Sequence, residues 1–246
     1  KSTSIPATYL DLFDAIRTLF SQSIADGCEM KDKKAYFSFN SKGACPACKG
    51  KGYIEKYIQY FGETRIVCSE CSGQQYIDEV LSVKYQGKNI KQVLDMTFSE
   101  ASVFFAQQKN IQEKIMLVCD LGLGYMQLGQ PLNTLSGGEA QRMKLAKQMS
   151  RCKNKKDLLY IFDEPTIGLH AKDISRIREV MQRIIEAQNT IVLVEHHPDM
   201  ILSSDYIIDL GPGAGKHGGN VVFSGTPSQL LACGNSKTAE YLRRKT

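Results

Sequence analysis

Four cysteines open the chemistry of this chain. They fall as two pairs, Cys45-Pro46-Ala47-Cys48 and Cys68-Ser69-Glu70-Cys71, with 19 residues between them. Two C-x₂-C pairs at that separation match a structural Cys₄ zinc site, with each thiolate supplying one corner of a tetrahedron. Gly50 and Gly52 follow the first pair and Gly73 the second. Glycines there permit the tight turns a zinc knuckle needs. Zn²⁺ bound by Cys45, Cys48, Cys68 and Cys71 would order a loop with little other reason to be ordered. Free thiols or a redox pair explain two matched pairs less well. The remaining cysteines, Cys28, Cys119, Cys152 and Cys233, lack metal spacing and read as buried or free thiols.

A second chemical group begins at Leu135-Ser136-Gly137-Gly138-Glu139-Ala140-Gln141-Arg142. Ser136 can cap a helix, and Glu139 stands three residues on, where a capping-box acid belongs. Ala140, Met143, Ala146 and Met149 recur at helical spacing. Glycines in a first turn let another molecule approach the free N–H groups. Such a helix start favours an anion, phosphate above all.

The third group lies on strands. Leu158 to Phe162 is a wholly apolar run ended by Asp163 and Glu164, which predicts a buried parallel strand. A helix follows, with Ile174, Ile177, Val180, Met181 and Ile184 on one face. A second apolar run, Thr190 to Val194, ends in Glu195 and His196. This is a βαβ unit, so its strands should be parallel neighbours, with Asp163, Glu164 and His196 on one edge. Ligands of open α/β sheets bind outside that edge. One carboxylate can hold Mg²⁺ and the next can orient or deprotonate water, which suggests nucleotide hydrolysis.

The rest of the chain must position these groups. Leu10, Phe13, Ile16, Leu19 and Phe20 form one stripe of an early helix, best read as core. Tyr53, Ile54, Tyr57, Ile58, Tyr60 and Phe61 suggest a hairpin turning near Gly62, inside the cysteine loop. Its Lys and Arg nearly balance its Glu, so charge alone does not mark a nucleic-acid patch, although aromatics beside cations can stack on bases. Tyr76 to Gly87 reads as β-rich, with a turn at Gln86-Gly87. Thr97 opens a helix with Glu100 three residues on. Asn110 opens another, ending near Gly122 or Gly124. Arg151 to Asp157 reads as a linker. Asp205 to Leu210 and Val221 to Phe223 read as strands joined by a glycine-rich turn.

At 246 residues, the chain can bury a substantial core and split into two domains. A net charge of +5 permits nucleic-acid contact without requiring it. No run approaches the roughly 18 apolar residues of a membrane span. With no visible leader, the expected location is the cytoplasm.

The order of these motifs carries a resemblance. Leu135–Arg142, then Asp163-Glu164-Pro165, Gly168-Leu169-His170 and Glu195-His196-His197 resemble the signature, Walker B, D-loop and switch histidine of ABC-type ATPases. The particular forms resemble the UvrA family of nucleotide excision repair. That similarity extends through Ile5–Tyr9, Phe37–Asn40, the cysteine segment and Asp209–Pro212. His197 departs from it, standing where the family pattern carries Asn.

The resemblance implies an α/β fold: part of an ABC-type ATPase core, with parallel strands and flanking helices, preceded by a helical signature domain that carries the Cys₄ module. The implied domains are residues 1–152, with the zinc segment at 45–73, and residues 153–246. It also implies an ATP sandwich. Ser136, Gly137 and Gly138 would cap the γ-phosphate of ATP held elsewhere, with Glu139 and Gln141 at the same contact. Asp163 would hold Mg²⁺, Glu164 would polarise the attacking water, and His196 would contact the γ-phosphate. The sequence contains no G-x-x-x-x-G-K-[ST], so the chain alone is expected to hydrolyse ATP negligibly and to be part of a longer protein. Implied partners are duplex DNA, preferentially damaged, UvrB-like repair subunits, the remaining ATPase half of the parent chain, and a second copy in a homodimer. A UvrA-like protein acting outside repair, in drug resistance or transport, is the alternative; the zinc segment favours repair.

Overall fold

The computed structural model describes residues 4–24, 33–60, 62–151, 155–169, 171–213 and 215–245. Phe61, Cys28, Cys152 and His170 lie outside them, as does part of the expected linker. The chain is α/β and divides into two compact units, 1–153 and 154–246.

The first unit is mainly helical. Helix α1 (Pro6–Tyr9) starts on a proline, which has no N–H to leave unpaired in a first turn. Helix α2 (Phe13–Gln22) buries Phe13, Ile16 and Phe20. Phe13 packs on Phe39 with ring centroids 5.4 Å apart, and Phe20 on Phe37 at 5.5 Å, so the expected stripe is core. After α3 (Lys33–Tyr36) comes the cysteine-bearing segment with its hairpin, β1 (Tyr53–Ile58) and β2 (Gly62–Val67). The two strands pair antiparallel, Tyr53 opposite Val67 and Ile58 opposite Gly62.

The stretch from Tyr76 to Gly87 differs from expectation. It is not β-rich: residues Asp78–Ser82 form α4, flanked by single bridges at Tyr76 and Tyr85. Asp78 and Glu79 favour a helix start through its dipole, and Val80 is buried, which outweighs β propensity. The turn at Gln86-Gly87 is present, with both residues at positive φ.

Helices α5 (Ile90–Leu94) and α6 (Phe98–Phe104) each begin with a complete capping box, Asn89 with Gln92 and Thr97 with Glu100. Helix α7 (Lys109–Asp120) begins one residue before Asn110 and has no side-chain cap. It ends as a Schellman motif at Gly122, where Leu123 N–H donates to Val118 O and Gly122 N–H to Cys119 O. Helix α8 (Gly137–Arg151) completes the unit.

The second unit holds β3 (Leu159–Asp163), α9 (Ala171–Glu186), β4 (Thr190–Val194), α10 (Pro198–Leu202), the antiparallel pair β5 (Ile207–Gly211) and β6 (Asn220–Gly225), and helices α11 (Pro227–Ala232) and α12 (Lys237–Arg243). Strands β3 and β4 are parallel, with Asp163 opposite Val194. Helix α9 buries the predicted stripe of Ile174, Ile177, Val180, Met181 and Ile184. Expectation fails on one point. The apolar run of 158–162 is covered only at alternate residues of β3: Leu159 and Ile161 are 60% and 68% exposed. Among the described residues, nothing covers the face that carries Leu159 and Ile161, and Tyr160 and Phe162 on the other face are half-buried. Asp209, in the Asp209–Pro212 segment, accepts hydrogen bonds from Ser236 (2.6 Å) and Thr238 (2.8 Å), tying β5 to the start of α12. No helix among the described residues is long and apolar enough to cross a membrane.

Candidate functional site

The cysteine cluster is built by tight turns. Lys49, Gly50 and Gly52 all have positive φ. A Cβ on Gly50 would lie 1.7 Å from the carbonyl oxygen of Phe39, so only glycine fits there. Gly52 N–H donates to Cys48 Sγ (3.2 Å), and Cys68 N–H to Gly52 O (3.0 Å), locking one knuckle to the other. All four cysteines are buried, and their sulfur atoms lie within 4.8 Å of one another. Cys45 and Cys68 sulfurs are 3.9 Å apart, and Cys48 and Cys71 sulfurs 3.7 Å. Sulfurs at about 2.3 Å around a tetrahedral ion would be roughly 3.8 Å apart, so the group could hold a metal ion with little rearrangement. Burial pushes the Cys71 thiol up to about 12 and raises that of Cys48. Hydrogen bonds from the backbone N–H groups of Cys71 and Glu70 outweigh burial and lower that of Cys68. Cys119 and Cys233 stand outside the cluster.

At the start of α8, Ser136 and Glu139 form the predicted box. Ser136 N–H donates to Glu139 Oε2 (2.7 Å), and Glu139 N–H donates to Ser136 Oγ (3.3 Å). The second Glu139 oxygen accepts from the Tyr125 hydroxyl. The Tyr125 bond and the Ser136 N–H hold the Glu139 carboxyl below its usual range. Gly137 faces open space, since an added Cβ would meet nothing within 4 Å. Gly138 is half-buried, as is Gln141. Tyr125 has no spacing relation to the motif and is not legible in sequence. Neither is Arg142, which is 5% exposed and whose Nε and Nη1 have no hydrogen-bond partner.

The third cluster sits at the carboxyl ends of β3 and β4. His196 Nδ1 lies 3.5 Å from Glu164 Oε1, and both side chains are open to solvent. Asp163 ends β3 on the same edge. Glu164 has φ +44°, left-handed for a residue with a Cβ. Such a conformation costs on the order of 1 kcal/mol and persists only where its surroundings hold it. Two restraints bear directly on it: Glu164 N–H donates to Val194 O (2.9 Å), and Ile167 N–H donates to Glu164 O (3.1 Å).

Glu195 supplies a third. Its Oε2 accepts from the backbone N–H groups of His196 (2.9 Å) and His197 (3.0 Å). Its Oε1 accepts from Thr166 N–H (3.1 Å) and from the Thr166 hydroxyl. One carboxylate thus joins the loop carrying His196 to the loop carrying Glu164. Burial raises its pKa, but these four bonds together overcome that and hold it below the usual carboxylate value. Sequence reading passed over Glu195 as a strand terminator. The available signal was an acid at the end of an apolar strand, directly before the histidine.

Comparison with known proteins adds the family context. No family model matches the chain. Among curated proteins, it is 46% identical over 242 residues to the UvrABC system protein A of Lactiplantibacillus plantarum, covering 98% of this chain and 25% of that protein. It is 47% identical over 244 residues to that of Streptococcus pyogenes serotype M1, covering 26% of the relative. It is 46% identical over 242 residues to that of Aquifex aeolicus, again covering 26%. The chain therefore spans about a quarter of the length of these relatives. Among solved structures, the crystal structure of UvrA2 from Deinococcus radiodurans matches with a TM-score of 0.84 and 40% identity, covering 98% of this chain and 29% of that one.

Proposed function

We propose, for a chain that belongs to the UvrA family, that it serves an ATP-dependent DNA-damage recognition protein by supplying two parts of a nucleotide sandwich. Residues 1–152 form the signature domain with its zinc module at 45–73, and residues 153–246 the Walker B and switch-histidine part of the core. The observation that carries this reading is the placement of Asp163, Glu164 and His196 on one edge of a parallel strand pair, with His196 Nδ1 3.5 Å from Glu164.

The residues present suit an Mg²⁺·ATP that reaches this edge with a P-loop from outside the chain. The bound metal would neutralise charge on the phosphates. Asp163 would hold that cation through water. Glu164 orients the attacking water and accepts its proton, and His196 donates a hydrogen bond to the transferred phosphoryl group. At the other half-site, Ser136, Gly137 and Gly138 present a helix N-terminus to the γ-phosphate, with Gln141 beside it and Glu139 fixing the turn. Cys45, Cys48, Cys68 and Cys71 bind structural Zn²⁺; their sulfur spacing supports this. The DNA partner is duplex, damaged in preference. UvrB-like repair subunits, the remaining ATPase half and a second copy of the parent chain complete the assembly.

The test is duplex binding by the whole parent protein, with and without a bulky lesion, over a salt series. A lesion preference that persists as salt rises supports the reading, because phosphate contacts alone fade steeply with salt. Equal binding to both duplexes refutes it. The 246-residue chain by itself should show negligible ATP turnover, and turnover comparable to intact ATPases, abolished by Glu164→Gln, would refute the requirement for an outside P-loop.

A further inference from the structure

The first unit contains a cavity of 530 Å³ that none of the roles above uses. It opens beside the cysteine knuckle. Lys49, Lys51 and Arg65 line it, and among the described residues no carboxylate does. Glu55, just outside, bonds Lys51 at 3.0 Å and lies 3.9 Å from Arg65, so it offsets one of the three positive charges. The cavity is therefore cationic.

It is also too large and too varied for a bare anion. Its volume falls within the roughly 300–1,000 Å³ typical of small-molecule sites. Arg65 stacks its guanidinium on the Tyr53 ring, 4.6 Å from the centroid, and Lys51 stands 6.0 Å from the same ring. Tyr53 and Arg65 share a face of the hairpin because Glu55 pairs with Arg65 and Tyr53 with Val67 in the antiparallel register. A guanidinium over an aromatic ring offers a layer on which a base can stack. Leu94 adds apolar wall, and Asn133 brings an amide that can pair with a base edge. Lys49 is exposed at φ +53° in the knuckle turn, between buried Cys48 and the glycine under Phe39 O, so its backbone is held in place.

We infer that this cavity binds a nucleoside 5′-phosphate unit, with Lys49 and Lys51 on the phosphate and the base on the Tyr53–Arg65 layer. The unit comes either free in solution or within a nucleic-acid strand. Its lining includes none of the residues proposed to meet the γ-phosphate, Ser136 to Gln141. Cavity binding and lesion preference are read by different assays, so either can fail while the other holds.

The experiment is an amide NMR titration of the zinc-loaded 246-residue chain with dTMP, inorganic phosphate and an eight-residue oligo-dT. We expect saturable shifts at Gly50, Gly52, Tyr53 and Asn133, with dTMP binding at least about tenfold more tightly than phosphate. Arg65→Gln and Tyr53→Ala should each weaken dTMP by about tenfold with zinc content unchanged, and Lys49→Gln should weaken dTMP and phosphate alike. Oligo-dT bound about tenfold more tightly than dTMP identifies the strand as the source; equal affinity identifies free nucleotide. The inference is overturned by no shifts up to about 10 mM dTMP, by phosphate binding as tightly as dTMP, or by shifts confined to the Ser136 turn. Variants that release zinc while nucleotide binding follows only the metal content also overturn it, because the cations would then serve the thiolates.

Discussion

Replacing Glu195 with Gln should loosen the strand edge that carries Glu164 and His196 without removing any group proposed to touch nucleotide. The wild-type carboxylate accepts four hydrogen bonds, two on each oxygen, from two loops. Gln keeps one acceptor oxygen and turns the other end into an NH₂. In the better orientation the NH₂ faces Thr166, whose hydroxyl can turn and accept from it, so the Thr166 N–H bond is lost outright and the two bonds from His196 and His197 lose their charge assistance. Bonds to a charged group contribute about 1.5–3 kcal/mol each; at this half-exposed position the lost bond is worth about 1 kcal/mol and each weakened one about 0.5 kcal/mol, or roughly 2 kcal/mol in all. That corresponds to roughly a 30-fold shift toward opening of the joined loops. Hydrogen exchange reads this directly. The N–H groups of Thr166, His196 and His197 should lose protection by that factor, while those of α9 keep theirs. The strained φ of Glu164 should relax in the same variant, because Thr166 no longer anchors the turn after it. The pH dependence has a definite sign. The folded-state pKa of Glu195 lies below its ordinary value. Its contribution is therefore present above the unfolded carboxylate value of about 4.3 and is lost as pH falls through the lower folded value. Wild-type protection at these three positions should hold across neutral pH and fall only in acid. If Glu195→Gln leaves all three amides within about twofold of wild type, the carboxylate does not join the loops and the argument is wrong.

Three further outcomes follow from the same structure. Stripping the metal with a chelator, or substituting Cys68→Ser, should abolish amide protection across the β1–β2 hairpin while the α6–α7 pair keeps its own; an intact hairpin in the metal-free protein would show that the cluster is not a metal centre. Ser136→Ala removes one arm of the α8 capping box and should cost about 1 kcal/mol, lowering the melting temperature of a unit this size by about 3 °C; no change in a thermal melt would mean the box is not formed in solution. Ile161→Lys, at a 68% exposed position on the bare face of β3, should change the stability of the second unit by no more than about 0.5 kcal/mol and should reduce self-association in sedimentation; unfolding would show that the face is covered after all.

Much of the local geometry around the candidate residues was legible in the sequence because it lies in short patterns. The two C-x₂-C pairs with their glycines specify the buried cluster, since tight turns and paired thiols are near-neighbour properties. The Ser136–Glu139 box is a spacing of three, and the α9 stripe is a period of 3.6. The βαβ order of Asp163, Glu164 and His196 followed from chain direction, because a crossover of that length leaves parallel strands with their ends on one side. What only the tertiary structure decided depends on residues far apart in the chain. Tyr125 reaches Glu139 across 14 positions, and Glu195 reaches Thr166 across 29. The Tyr76–Gly87 stretch became helical at α4 because Val80 found a buried place, which no local propensity encodes. The apolar run of β3 specified a strand but not its cover. A sheet face is buried only when another element packs on it, and among the described residues none covers Leu159 and Ile161.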